Sequence, residues 1–301
     1  MLLRLTDPRA RLSHTEKKGK MFSAVGELLW YLAASDRADF VSYYIPLYSD
    51  EAEADGSIHG AYGPRIFLPT GASQFDNVIA RLRERATTRK AVIQLFEKSD
   101  LDGDYRDVPC TCALQFLLRG DRLHLAVSMR SSDAFYGLPH DVFTFTMLQE
   151  IVARTLGCEL GHYTHFAGSL HIYQPQLGAA RNFLAEGWQD SLVAAMPAMP
   201  HGDPWPGIGH VLNAEDLVRS GKSPGKRRMS KLAPYWQDLV RLLQAYSLFK
   251  RERYAEIPAI KKQMAHQVYK EYVVQKARPK KSVPRTGQPL LFESDDSDAP
   301  L

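Results

Sequence analysis

Residues 109–141, PCTCALQFLLRGDRLHLAVSMRSSDAFYGLPHD, decide how this chain is read. Two apolar runs, CALQFLL and RLHLAVSM, are separated at Arg119-Gly120-Asp121. Apolar patterning broken at a Gly-Asp turn predicts two strands joined as a hairpin. Outward from that hairpin the pattern becomes helical. Upstream, FSAVGELLWYLAAS (22–35) and QFDNVIARLRERA (74–86) carry apolar residues at helical spacing, and RKAVIQLF (89–96) has strand character. Downstream, DVFTFTMLQEIVARTL (141–156) predicts a long helix stopped by Gly157, and HYTHFAGSLHIY (162–173) predicts a return to strand. The fold class is therefore α+β, a mostly antiparallel sheet with packed helices.

Composition shifts near residue 195. MPAMPHGDPWPG (196–207) is too rich in proline and glycine for regular structure, and SGKSPGKRRMSK (220–231) is a second, basic break. Helical patterns follow in 234–276, and the polar tail from Ala277 onward reads as disordered. The division is thus a main domain over 1–195, a helical extension over 196–276 and a loose tail over 277–301.

At 301 residues, 45% hydrophobic and 24% charged, the chain has the composition of a soluble globular protein. Its net charge of +4 suits an anionic small molecule and falls short of a nucleic-acid footprint. No apolar run approaches the ~18 residues of a membrane span. The amino terminus lacks the apolar core of a secretion signal. Cys110, Cys112 and Cys158 are the three cysteines, an odd number that argues for a reducing, cytoplasmic setting without disulfides. The Cys110-x-Cys112 pair has no second pair of ligands in reach, so no metal is expected.

Five short motifs stand in order: GELLWYL (26–32), HGAYG (59–63), VPCTCALQF (108–116), RSSDAFYGLPHD (130–141) and HIY (171–173). Together they resemble the thymidylate synthase family, whose members carry a Pro-Cys nucleophile five residues before a Gln-aromatic pair. An Arg-Ser-x-Asp-x-x-x-Gly-x-Pro segment follows about twenty residues later. Cys110, Gln115 and Arg130 keep that spacing, and the resemblance spans roughly residues 17–173.

The resemblance implies covalent chemistry on a pyrimidine ring. C5 of the base becomes nucleophilic only after a thiolate adds to C6, and a cysteine needs a neighbouring cation to ionise near neutrality. It makes Cys110 the nucleophile, with Arg130 beside it as thiolate partner and phosphate ligand. Without the neighbouring motifs, Cys110 would read as an inert core thiol rather than a nucleophile. Ser131 matches a second phosphate contact. Arg89 and Lys90 match a twin-arginine pair that reaches into the partner's site of a homodimer, and otherwise read as two solvated charges. Glu27, set among apolar neighbours, matches a proton-relaying glutamate. His171 and Tyr173 match the pair that contacts the sugar 3′-hydroxyl. Tyr62, Asp133 and Gly137 match active-site or folate-side positions, and Asp133 also fits a turn or helix cap. The implied one-carbon donor is 5,10-methylenetetrahydrofolate.

The sequence departs from the family most tellingly at Asp141, where synthases acting on deoxyuridylate have asparagine. A protonated aspartate can donate to cytosine N3 and accept from the 4-amino group. Aspartate here is the mark of the family's deoxycytidylate hydroxymethylases, although it could also cap the helix that follows. Tyr48 replaces a tryptophan that shields the one-carbon unit, and a wetter pocket would let water rather than hydride complete the reaction. Thr111, Met129 and Gln174 are further replacements. The family's phosphate loop is not recognisable, with PRARLS (8–13) as a possible substitute. The expectation is hydroxymethylation of a cytidine monophosphate (dCMP or CMP), with thymidylate synthesis from dUMP as the alternative. A third reading, from a different class, is an inactive nucleotide-binding scaffold.

Overall fold

A computed structural model describes residues 1–12, 21–68, 73–187 and 195–276, with side-chain surroundings to residue 273. Its centre is the expected hairpin. Strand β3 (Thr111–Arg119) turns at Gly120 and Asp121 into β4 (Arg122–Asp133), with Leu114 opposite Val127 and Phe116 opposite Leu125. These four side chains are buried, whereas Ala113, Gln115 and Leu117 on the other face are half-exposed. Alternation at period two therefore gives the sheet one packed face and one open face.

The sheet has five strands in the order β1-β5-β4-β3-β2, where β1 is Leu2–Leu5, β2 is Val92–Gln94 and β5 is Glu159–His171. All neighbours are antiparallel except β4 and β5, which run parallel. A parallel pair needs a crossover, supplied by helix α5 (Gly137–Leu156). Two strand expectations change. The strand over 89–96 contracts to Val92–Gln94, and residues 2–5, too short for a sequence signal, form an edge strand.

The packed face is covered by α5, and helix α1 (Met21–Leu32) packs against α5. Around them lie α2 (Ala38–Tyr44), α3 (Tyr62–Phe67) and α4 (Gln74–Glu84). Gly157, with φ 72°, closes α5 in the left-handed conformation, as the sequence predicts. The start of α5 is a correction. It begins at Gly137, four residues before Asp141, because Pro139 lies in the first turn where its missing N–H is not needed. Asp141 is therefore inside the helix and does not cap it.

After α6 (Leu177–Ala185) come α7 (Trp205–Arg219), α8 (Lys226–Met229), α9 (Pro234–Lys250), α10 (Ile257–Gln263) and α11 (Gln267–Lys276). Trp205-Pro206-Gly207, expected to be irregular, opens α7, again with proline in a first turn. Tyr246 of α9 stacks on Phe22 of α1 and on Tyr44 of α2, at centroid distances of 5.8 and 5.4 Å. The Tyr44 hydroxyl donates to Glu215 of α7 at 2.9 Å, and Arg219 Nε donates to the same carboxylate at 2.8 Å. The carboxy-terminal helices thus buttress the back of α1. Residues 277–301, expected to be disordered, lie outside the described residues.

Candidate active site

Cys110 stands at the entry to β3 and is half-buried. Two groups hold its loop. The backbone N–H of Arg130 donates to the Cys110 carbonyl at 2.9 Å. The Arg130 guanidinium donates to the carbonyls of Pro109 and Val108, each at 3.0 Å. The backbone N–H of Thr111 donates to the Tyr62 hydroxyl at 3.1 Å, where α3 begins. Further along the parallel pair, Asp133 is in register with His171. Ser131 Oγ lies 3.4 Å from His171 Nδ1, and the rings of His171 and Tyr173 meet edge to face at 4.9 Å. The paired ends of β4 and β5 therefore carry Arg130, Ser131, His171 and the nearby Tyr173 on adjacent backbones.

Asp141 and Asp107 lie near the thiol, with Glu27 and Asp133 near Asp141. Glu27 on α1 is only 5% exposed and accepts hydrogen bonds from Tyr48 at 2.8 Å and Tyr31 at 3.4 Å. Tyr48, expected to stand where a shielding tryptophan does, packs against Trp30 at 5.4 Å. Asp141, in the second turn of α5, has no hydrogen-bond partner among the described residues. Burial pushes its carboxyl well above the usual range, with the charges of Glu27 and Asp133 adding to the rise. Beside it, His140 lies within 2.9 Å of both the Tyr136 carbonyl and Ser23 Oγ, tying α5 to α1. Asp133 accepts from the backbone N–H groups of Phe135 and Tyr136, both at 2.9 Å, so its two oxygens hold the turn before Gly137. That geometry fits the turn reading of Asp133.

The charge state of Cys110 requires a correction. Arg130 was expected to favour the thiolate near neutral pH. Burial outweighs it and pushes the thiol up to about 11, with Arg130 pulling down and Asp141 and Asp107 pushing up. The free chain therefore holds Cys110 as a thiol. The sequence reading missed three neighbours. Tyr31 lies one helical turn after Glu27, a spacing visible in GELLWYL. Asp107 and Glu51 come from loops. Burial raises Glu51 to about 7, followed by the charges of Asp107 and Asp50. Tyr173 is raised by burial first and then by Asp133, Cys110 and Glu51, which marks each of them as a neighbour of Tyr173.

Arg89 and Lys90 are exposed and do not join this constellation. Arg89 precedes β2, and its carbonyl accepts from Gln115 Nε2 at 2.9 Å. Gln115 is five residues beyond Cys110, so at ~3.3 Å per residue this contact lies roughly 17 Å along β3 from Cys110. Arg11 of the possible phosphate-loop substitute is buried in an ion pair with Glu150 at 2.6 Å, and Ser13 lies outside the described residues. Cys112 is half-buried, and Cys158 is buried with Sγ 3.7 Å from the Ala153 carbonyl. Among the described residues, no group of three His, Cys, Asp or Glu could hold a metal, and no helix is long and apolar enough to cross a membrane.

A family model described as thymidylate synthase matches residues 7–194, more than half of the chain. The thymidylate synthase of Bacillus subtilis subsp. natto is 30% identical over 167 residues, covering 53% of this chain and 60% of that protein. The thymidylate synthase of Bacillus phage phi3T gives the same identity and coverage. The chain thus spans about 60% of the length of these relatives. Among solved structures, thermostable thymidylate synthase A from Bacillus subtilis superposes with a TM-score of 0.53 at 23% identity, covering 63% of this chain and 70% of that one. The thymidylate synthase of T4 phage does so with a TM-score of 0.51 at 21% identity, covering 63% and 72%. At these identities the superpositions speak for the fold.

Proposed function

Since the chain belongs to the thymidylate synthase family, we propose that it transfers a one-carbon unit to C5 of a pyrimidine nucleoside monophosphate through a bond between Cys110 Sγ and C6. The observation that carries this reading is the placement of Cys110 between Arg130 and Tyr62, near Asp141 and Tyr173, with Glu27 behind Asp141. In it, Arg130 and Ser131 meet the phosphate, His171 and Tyr173 the sugar, and Asp141 the polar edge of the base. Glu27, gripped by Tyr48 and Tyr31, relays a proton to and from the oxygen or nitrogen at C4. Methylenetetrahydrofolate, as co-substrate, supplies the one-carbon unit.

The relatives' name supports methylation of deoxyuridylate, and so favours the synthase alternative over the expected hydroxymethylase. Asp141 favours a second reading. Protonated in its buried setting, it offers one donor and one acceptor to cytosine, and the carboxyl groups of Glu51 and Asp107 make the pocket hospitable to water. Tritium release from C5-labelled CMP, dCMP, UMP and dUMP, with and without the folate, separates the two readings. Release from none of the four would remove both and leave the inactive scaffold.

Assembly is part of the reading. The open sheet face carries Leu2, Phe166 and Val92 at 71%, 49% and 40% exposure, flanked by half-exposed residues of β3 and β4. A second copy packed on that face would bring Arg89 and Lys90 toward the partner's phosphate site. Mixing a Cys110→Ala chain with an Arg89→Glu chain is then expected to restore about a quarter of wild-type activity, from heterodimers with one intact site. A strictly monomeric, fully active protein in ultracentrifugation would contradict this assembly.

A further inference from the structure

Cys110 must lose a proton to bond to C6, yet its surroundings hold that proton on. Most nearby groups are already committed. The Arg130 guanidinium grips the carbonyls of Val108 and Pro109, and Glu27 accepts from Tyr48 and Tyr31. Two carboxyl groups near the thiol differ, Asp141, which the reading above gives to the pyrimidine base, and Asp107. The Asp107 carboxylate has no hydrogen-bond donor among the described residues, and Asp107 precedes Cys110 by three residues on the loop whose intervening carbonyls Arg130 grips. Backbone packing fixes its place, because a Cβ on Gly60 would overlap the carboxylate. The glycine of HGAYG therefore allows Asp107 to lie directly against the turn. The backbone N–H of Arg106 donates to Glu53 at 2.9 Å and pins the loop carrying Glu51 beside the one carrying Asp107.

We propose that Asp107 is the base that takes the proton from Cys110, an assignment that rests on the one-carbon transfer reading. As the Sγ–C6 bond forms, the S–H bond breaks and the proton passes to an Asp107 oxygen, directly or through one water. The C5–C6 π pair moves into the ring and its C4 substituent, and the sequence reverses when the adduct collapses, with no net oxidation. Asp107 is faced by Arg130 from β4, Arg65 from α3, His59, Asp100, Tyr48 and Glu51. Burial raises its carboxyl above the usual range and strengthens it as a base, while Arg130, Arg65 and His59 pull it back toward the ionised form.

The test exploits opposite signs. If Asp107 were only a negative charge beside the thiol, Asp107→Asn would ease ionisation of Cys110, speeding both its alkylation by iodoacetamide and C5 tritium release. As the base, its loss should cut tritium release about 100-fold or more, while alkylation of the Cys110 peptide at pH 8 is unchanged or faster. The wild-type rate should be flat in pH between the titrations of Asp107 and Cys110. The variant's rate should instead climb toward the thiol's own value of about 11. Asp107→Glu, retaining a carboxylate, should recover part of the rate. Release by Asp107→Asn at or above the wild-type rate would overturn the assignment, as would an equally inactive Asp107→Glu chain that folds and binds nucleotide. Cys110→Ala, run alongside, separates the failures: release surviving there overturns the covalent reading itself.

Discussion

A Cys110→Ala chain is expected to bind nucleotide nearly as well as wild type and to release essentially no tritium from C5. Binding survives because Arg130, Ser131, His171 and Tyr173 are untouched. Exchange does not, because C5 cannot gain carbanion character unless a nucleophile adds to C6. Removing an attacking atom, rather than a supporting contact, should cost on the order of 10⁴-fold or more in kcat. The side chain is small and half-buried, so the stability cost should be about 1 kcal/mol and the fold should persist. Cys112→Ala should leave exchange near the wild-type rate. Isothermal titration beside tritium release checks both halves, and an inactive Cys112 variant with an active Cys110 variant would reverse the assignment.

The second large effect is expected at Asp141. On the cytosine reading, Asp141→Asn should move preference toward uracil nucleotides by ~10- to 1000-fold in the ratio of kcat/KM values, the worth of one mismatched buried pair. The pH dependence has a definite sign. Burial, Glu27 and Asp133 raise Asp141, so the donor form that serves cytosine N3 is present below the raised value and lost as pH climbs through it. The cytosine reaction should therefore weaken with rising pH, and the uracil reaction of the Asn variant should not share that decline. Wild-type preference for dUMP, unmoved by Asp141→Asn, would leave the synthase reading alone.

The sheet's hairpin and the helices α1 and α5 were legible because each repeats one period over many residues. The signals failed where context overrides local rules. The helical pattern was read from Asp141, yet the helix begins at Gly137, with Pro139 tolerated in its first turn. The parallel pairing of β4 and β5 depends on where α5 crosses, which no strand pattern records. In the site, residues named by spacing within motifs were visible, including Cys110, Arg130 and His171. Asp107 and Glu51 were not, because loops distant in sequence meet through a bond from the Arg106 backbone N–H to the Glu53 carboxylate, 53 residues away. The thiol's charge state was misread for a related reason. A neighbouring arginine can be read from spacing, but the burial that outweighs it cannot.

The most direct test of the account is to trap the covalent adduct. A fluorine at C5 cannot leave as a proton does, so 5-fluoro analogues of the four nucleotides, incubated with methylenetetrahydrofolate, should stall the reaction after both bonds form. Peptide mass analysis is then expected to find the nucleotide and the folate-borne carbon on the peptide containing Cys110, with one analogue labelling far faster than the rest. Labelling at Cys112 or Cys158, or no adduct with any of the four analogues, would contradict the account.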